Sequence, residues 1–259
     1  MSPELLSSFT LEAWQIALLA FAAFAAGMVD AIAGGGGLLS VPSLLAAGLP
    51  PQIALATNKG QACFGAVSSF TSFWTKKEVD RHRAPLGFVA GFCGSLAGAR
   101  ILLVLKPEPL KPLVLFLLVL SAALVMYPRR PRTGPAPKGS AFAQAPIAFG
   151  LGFYDGFFGP GTGSILIVAF VHVFGDTLTR ASGNAKVVNL ASNLAAVLLF
   201  ALKGAVLWKV AAPMALANAL GAFVGARLAI QRGDRLVRVV VLVVVGLLVS
   251  KVAHDIIRR

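Results

Sequence analysis

Six charged residues lie inside apolar stretches of this chain, and they form three pairs at nearly constant spacing. Asp30 and Asp155 are 125 residues apart, whereas Lys59 and Lys186, and Arg100 and Arg227, are each 127 apart. Each aspartate is followed four residues later by a glycine cluster, Gly34-Gly35-Gly36-Gly37 in one case and Gly159-Pro160-Gly161-Thr162-Gly163 in the other. Glycine permits a tight turn and leaves backbone N–H groups accessible at the start of the following helix, where the partial positive charge favours an anion. A charge at membrane depth is costly, so it faces a cavity, a partner or an ion. Paired lysines and paired glycine clusters therefore point to a small anion held where two halves of the chain meet.

The lysines have polar company. Thr57, Asn58 and Gln61 surround Lys59, and Ser182, Asn184, Asn189 and Asn193 surround Lys186. Residues 182, 186, 189 and 193 share one helical face, a polar stripe on an otherwise apolar helix. The competing reading is that both lysines, near the starts of their runs, snorkel to the interface. The aspartates are suited to pairing with the lysines, carrying protons or bracing the glycine turns. Direct contact with an anion is disfavoured by their charge. Arg100 and Arg227 each end a Gly-x-x-x-Gly-Ala-Arg segment, whose small residues allow close helix approach. Their position near run ends suggests structural or interfacial roles, and His172 reads as interfacial.

These residues need a membrane to position them. The 259 residues are 57% hydrophobic with a mean hydropathy of +0.82, too apolar for a soluble protein of this length. The net charge of +13 is carried mostly by loops and termini, as expected for topology signals and contact with anionic lipid. No basic–aromatic face suits nucleic acid. Cys63 and Cys93 both lie in apolar runs and read as packing residues, and no histidine–carboxylate cluster suggests a metal or cofactor. The acidic start of the chain, with Glu4 and Glu12, does not read as a cleaved leader.

Long apolar runs at 14–33, 53–75, 84–105, 110–127, 142–158, 180–202, 206–229 and 236–257 predict about eight transmembrane helices. Short runs at 37–48 and 163–174 follow the glycine clusters, and at roughly 18 Å of helix they cannot span a bilayer. The expected fold is an all-α polytopic membrane protein with two homologous repeats, 1–127 and 142–259. A basic, proline-rich cytoplasmic linker at 128–141 joins them. Residues 76–83, with four Lys or Arg, should also be cytoplasmic. An even number of crossings per repeat makes the repeats parallel and an odd number makes them inverted. Counting loop Lys and Arg modestly favours parallel.

The stretch from Asp30 through the glycines to Pro42, the segment Gly48-Leu-Pro-Pro-Gln-Ile-Ala-Leu-Ala-Thr-Asn58 and their degenerate second copy resemble the sulfite exporter TauE/SafE family of bacterial membrane transporters. The resemblance covers essentially the whole chain. It implies typically eight spans in two repeats, a place in the bacterial inner membrane, and transport of sulfite, sulfonates or related anions, with coupling to the proton gradient. The expected function is a secondary transporter working by alternating access, with a passive anion channel as the alternative. An intramembrane enzyme would need a nucleophile–base pair or a metal cluster that the sequence lacks. The bilayer and a small anion are the expected partners, and a homodimer is possible.

Overall fold

In the computed structural model of the protein, the described residues are 11–126 and 141–257. The start of the chain and nearly all of the expected linker lie outside them. All regular structure among the described residues is helical: α1 (Ala13–Ala33), α2 (Gly37–Ala46), α3 (Pro51–Thr75), α4 (Ala84–Val104), α5 (Pro107–Met126), a 3₁₀ turn (Ala141–Ala143), α6 (Gln144–Phe157), α7 (Thr162–Phe174), α8 (Leu178–Leu202) and α9 (Trp208–Ile257). Local sequence sets many of these limits. Pro51 opens α3 with its φ already helical, and the Thr177 side chain caps α8 by accepting from the Arg180 N–H. Gly34 ends α1 in the left-handed region at φ 76°, donating its N–H to the Asp30 carbonyl.

By length and composition, four stretches among the described residues can cross a membrane: α1, α4, α8 and residues 208–232 of α9. α3 is equally long at 25 residues but carries the polar stripe around Lys59. The two short helices fall where the sequence places them, directly after the glycine clusters. Two expectations differ. The run at 142–158 yields α6, whose 14 residues make about 21 Å of helix and fall short of a bilayer. The runs at 206–229 and 236–257 form a single helix, α9, rather than two. Pro107 follows Lys106 at the α4–α5 break and cannot continue a hydrogen-bonded helix, whereas the matching pair Gly233-Asp234 contains no proline to interrupt α9.

Helix direction follows from which ends share a core. Leu19 of α1, Leu44 of α2, Leu49, Ile53 of α3, and Val210 and Met214 of α9 pack together at one end of the bundle, the Gly48 end. Phe73 of α3, Val79, Ala84 of α4, Val187 of α8 and Ala229 of α9 pack together at the other, the Asp80 end. α3 and α8 are therefore antiparallel, and so are α4 and α9. α1 and α2 form a hairpin with both outer ends at the Gly48 end. The matching hairpin of α6 and α7 packs its outer ends beside the start of α8, at the Asp80 end. Loop charges favour parallel repeats, an arrangement that would run α3 and α8 in the same direction, and these two helices run in opposite directions.

The tightest helix pairs join the first helix of one half to the fourth of the other. Gly94 and Gly98 of α4 rest on the carbonyls of Phe149 and Phe153 in α6. Gly221 and Gly225 of α9 rest on those of Phe24 and Met28 in α1. A Cβ at any of the four would meet backbone, so the Gly-x-x-x-Gly segments serve close approach. Arg100 is exposed, and Arg227 is exposed and stacked over the Phe223 ring, with its guanidinium carbon 3.9 Å from the ring centroid. The large side chains left exposed, among them Trp14, Phe21, Phe116 and Leu216, form the apolar outer wall that a lipid environment requires.

Candidate functional site

The two glycine turns meet at the centre of the bundle. The Ser164 N–H donates to the Gly34 carbonyl at 3.1 Å, and the Ser164 hydroxyl donates to the Ala33 carbonyl at 2.6 Å. A Cβ on Gly34 would fall on the backbone of Gly163 and Ser164. The hairpins thus touch through bare backbone, which places the starts of α2 and α7 against one another.

The lysines reach this junction from opposite sides, and each pairs with the aspartate of the other half. Lys59 Nζ lies 2.8 Å from Asp155 Oδ2, with both side chains almost fully buried. Lys186 Nζ lies 2.7 Å from Asp30 Oδ2 and also donates to the Asp30 carbonyl. Each lysine sits eight residues into its helix, about 12 Å along the axis, which is too deep for snorkelling. Asp30 also accepts from the Gly36 N–H at 3.4 Å, so a carboxylate of the chain itself occupies the electropositive start of α2. Ser192 donates to Asp155, and the Ser192 carbonyl accepts from Ser95 at 2.6 Å.

Around the Lys59 pair lies a polar cavity of about 40 Å³, room for a few waters or a small ion. Of the residues expected to bind substrate, Gly34, Gly36, Gly37, Asn58, Lys59, Gly159, Gly163, Asn189 and Asn193 line it, as do Asp30 and Asp155. The others sit elsewhere. Lys186 is wholly buried behind Asp30. Gly161 holds the left-handed N-cap of α7, Thr162 donates to the Gly159 carbonyl at 2.7 Å, and Gly35 forms part of the first turn. Thr57 and Asn184 lie nearer the two ends of the bundle, as described below. Ser40, Gln61 and Asn218 also line the cavity. Asn218 is an isolated amide in an apolar run, and that oddity was the one sequence signal for it. Gln61 donates to Asn58 Oδ1 at 2.8 Å, while its Oε1 is buried with no partner among the described residues.

Each end of the bundle is closed by a loop of one half over the helix start of the other. At the Gly48 end the Leu207 N–H donates to Thr57 Oγ1 at 3.1 Å, and Ala205, Val206 and Leu207 are buried. At the Asp80 end the equivalent bond runs from the Asp80 N–H to Asn184 Oδ1 at 2.7 Å. Here the closure is ionic. Arg83 holds both oxygens of Asp176 at 2.8 Å and Asp80 at 2.9 Å, Asn184 donates to Asp176 at 2.7 Å, and Arg180 flanks both acids. Burial works to raise the pKa of Asp80, but hydrogen bonds from the Arg83 side chain and backbone, its positive charge and the His82 N–H outweigh it. The carboxyl is held below its ordinary value of 3.8, so its contribution to stability is present at neutral pH and lost as pH falls through the lowered value. Asp80→Asn should therefore melt below wild type at pH 7, and the gap should close on acidification below about pH 4. A constant gap in thermal melts across that range would assign the loss to packing instead.

A family model described as "Sulfite exporter TauE/SafE" matches residues 19–252, which takes in the hairpins, the lysines and both end closures. The chain belongs to the TauE/SafE family. Its relatives include the probable membrane transporter protein YfcA of Escherichia coli K12, 36% identical over 96% of this chain and 93% of that protein. A probable membrane transporter protein of Haemophilus influenzae is 37% identical over 93% of this chain and 95% of that one. The probable membrane transporter protein ORF9 of a Sinorhizobium species is 36% identical, with 88% of each chain covered. No solved structure matches. This TauE/SafE chain is a membrane transporter, with paired charges at the centre of a helical bundle.

Proposed function

We propose that the chain is a secondary transporter of a small anion, in preference sulfite, a sulfonate or another sulfur oxyanion. It would work by alternating access in a bacterial inner membrane. The observation that carries this reading is the crossed pairing of Lys59 with Asp155 and Lys186 with Asp30 beside the joined glycine turns. The family model's own description agrees with the sulfur chemistry. Two inverted repeats are supported by the antiparallel α3 and α8 and by contacts that match across the halves. Lys76, Lys77, Arg81, Arg83 and Arg180 cluster at the Asp80 end, against Lys106, Lys203 and Lys209 at the Gly48 end, so the Asp80 end faces the cytoplasm.

The site is charge-balanced, with two cations against two carboxylates. A bare anion entering it would compete with Asp155 for Lys59 and add uncompensated charge at membrane depth. A proton on one carboxylate removes both obstacles, leaving Lys59, the Asn58 and Asn193 amides and the glycine N–H groups for the anion oxygens. The unpartnered Gln61 Oε1 favours an occupant that itself carries a donor, as a singly protonated oxyanion does. Alternating access then opens one closure while the other holds, the ionic latch at the Asp80 end or the apolar plug at the Gly48 end.

Proteoliposomes held acidic outside and alkaline inside should concentrate sulfite or a short sulfonate above the external level, and collapse of the gradient should end accumulation. Flux that only runs downhill would make the protein a channel. No flux with any sulfur oxyanion, together with thermal stabilisation by a carboxylate, would replace the substrate class.

A further inference from the structure

A second cavity, a cleft of about 610 Å³, opens on the outer wall at the Asp80 end between α3 and α9. Ser68, Thr71, Ser72, Thr75 and Lys76 line its α3 side, and Phe223 and Arg227 stand opposite. The site described above uses none of them. Polarity changes in order along the cleft. Exposed Phe64, Val67 and Leu220 lie on the bilayer side, the four hydroxyls follow, and the two cations stand at the membrane boundary. No carboxylate among the described residues pairs with Lys76 or Arg227, and the stack on Phe223 holds the guanidinium in place.

The hydroxyls specify more than an anion. Thr71 donates to the Val67 carbonyl at 2.8 Å, Ser72 to Ser68 at 2.9 Å, Thr75 to Thr71 at 2.9 Å and Ser68 to Ala219 at 2.9 Å. Their protons are committed to helix carbonyls, which leaves oxygen lone pairs as acceptors for the cleft. The complement is a phosphate bearing hydroxyl donors on an acyl-chain anchor. The other half provides a comparison within the same molecule. At the matching positions, 127 residues away, the basic residues persist as Lys203 and Arg100, but Ala195, Leu198, Leu199 and Leu202 replace the hydroxyls. The acceptor ladder is absent from the matching positions of the other half.

We infer that this cleft binds a phosphatidylglycerol-type lipid, its phosphate on Lys76 and Arg227 and its glycerol hydroxyls on Thr71 and Thr75. Basic pockets between spans at the cytoplasmic side suit anionic headgroups, at about 1 kcal/mol per cation, roughly fivefold in affinity each. The test is thermal melting and native mass spectrometry of the full chain in neutral detergent. Added lipids are phosphatidylglycerol, phosphatidic acid, phosphatidylcholine and soluble glycerol phosphate. Phosphatidylglycerol should raise the melting temperature and stay bound, and phosphatidylcholine should not. Lys76→Ala/Arg227→Gln should bind it roughly 30-fold more weakly. Thr71→Val/Thr75→Val, which keeps shape and charge, should erase its advantage over phosphatidic acid. Lys203→Ala/Arg100→Ala should change nothing. Equal stabilisation by phosphatidylcholine, an undiminished response in Lys76→Ala/Arg227→Gln, the same effect from soluble glycerol phosphate, or lipid-independent dimers sealed by this face would each overturn the assignment. Transport need not be measured, so the result stands apart from the anion reading.

Discussion

Lys59→Met should insert poorly and melt well below wild type, whereas Lys59→Met/Asp155→Asn should regain the melting temperature and still transport far more slowly. The single variant strands the Asp155 carboxylate in a buried site, supported by the Ser192 hydroxyl alone among its described side-chain partners. Removing one member of a buried ion pair costs roughly 3–5 kcal/mol, while removing both charges with similar volume is close to neutral. Anion flux in the double variant should nonetheless fall at least about tenfold, the equivalent of losing one charge-assisted hydrogen bond. Stability and flux are thereby separated. Wild-type flux from the double variant would make the pair a structural brace and nothing more. The same design at Lys186 and Asp30 asks whether the buried lysine acts through its aspartate, since Asp30 lines the cavity and Lys186 does not.

Gly34→Ala should be the most damaging single-methyl change in the chain. Gly34 holds a φ of 76°, its N–H and carbonyl are both used, and a methyl group there would drive into the backbone of Gly163 and Ser164. Left-handed strain and overpacking together cost roughly 2–5 kcal/mol, and the damage falls on the junction that aligns α2 with α7. Loss of both melting stability and flux is expected. Two other glycines calibrate the result. Gly150→Ala meets open space in ordinary helix and should be harmless or slightly stabilising. Gly48→Ala also meets open space but at φ 90°, so it isolates the left-handed strain at about 1–2 kcal/mol. If Gly34→Ala melted like Gly48→Ala, the hairpin contact would carry no weight beyond turn geometry.

The crossed ion pairs constrain how such a protein can move. Each pair ties the α1 or α6 hairpin of one half to the α3 or α8 stripe of the other, so one half cannot rock against its mate without straining or exchanging these bonds. The two end closures differ in what they cost to open. Parting the apolar plug at the Gly48 end exposes Val206 and Leu207, whereas parting the latch at the Asp80 end hydrates Arg83 and two carboxylates. Under the proposed alternating access, an unlike pair of closures would let pH and salt act on one side more than the other.

Much of this was written in the order of residues. Hydropathy alone demanded a bilayer. Nearly constant spacing between paired charges raised the expectation of two related halves, and glycine clusters followed by half-length runs marked the breaks, because turn chemistry and helix length act over a few residues of contiguous chain. Partner choice was not local. Nothing in spacing says that Lys59 meets Asp155 and not Asp30, that Asn184 serves an ionic latch, or that α3 and α8 run in opposite directions. Those depend on where the hairpins turn back inside the bundle, and that depth is decided by contacts among residues far apart in the chain, such as Gly94 with Phe149 and Gly34 with Ser164.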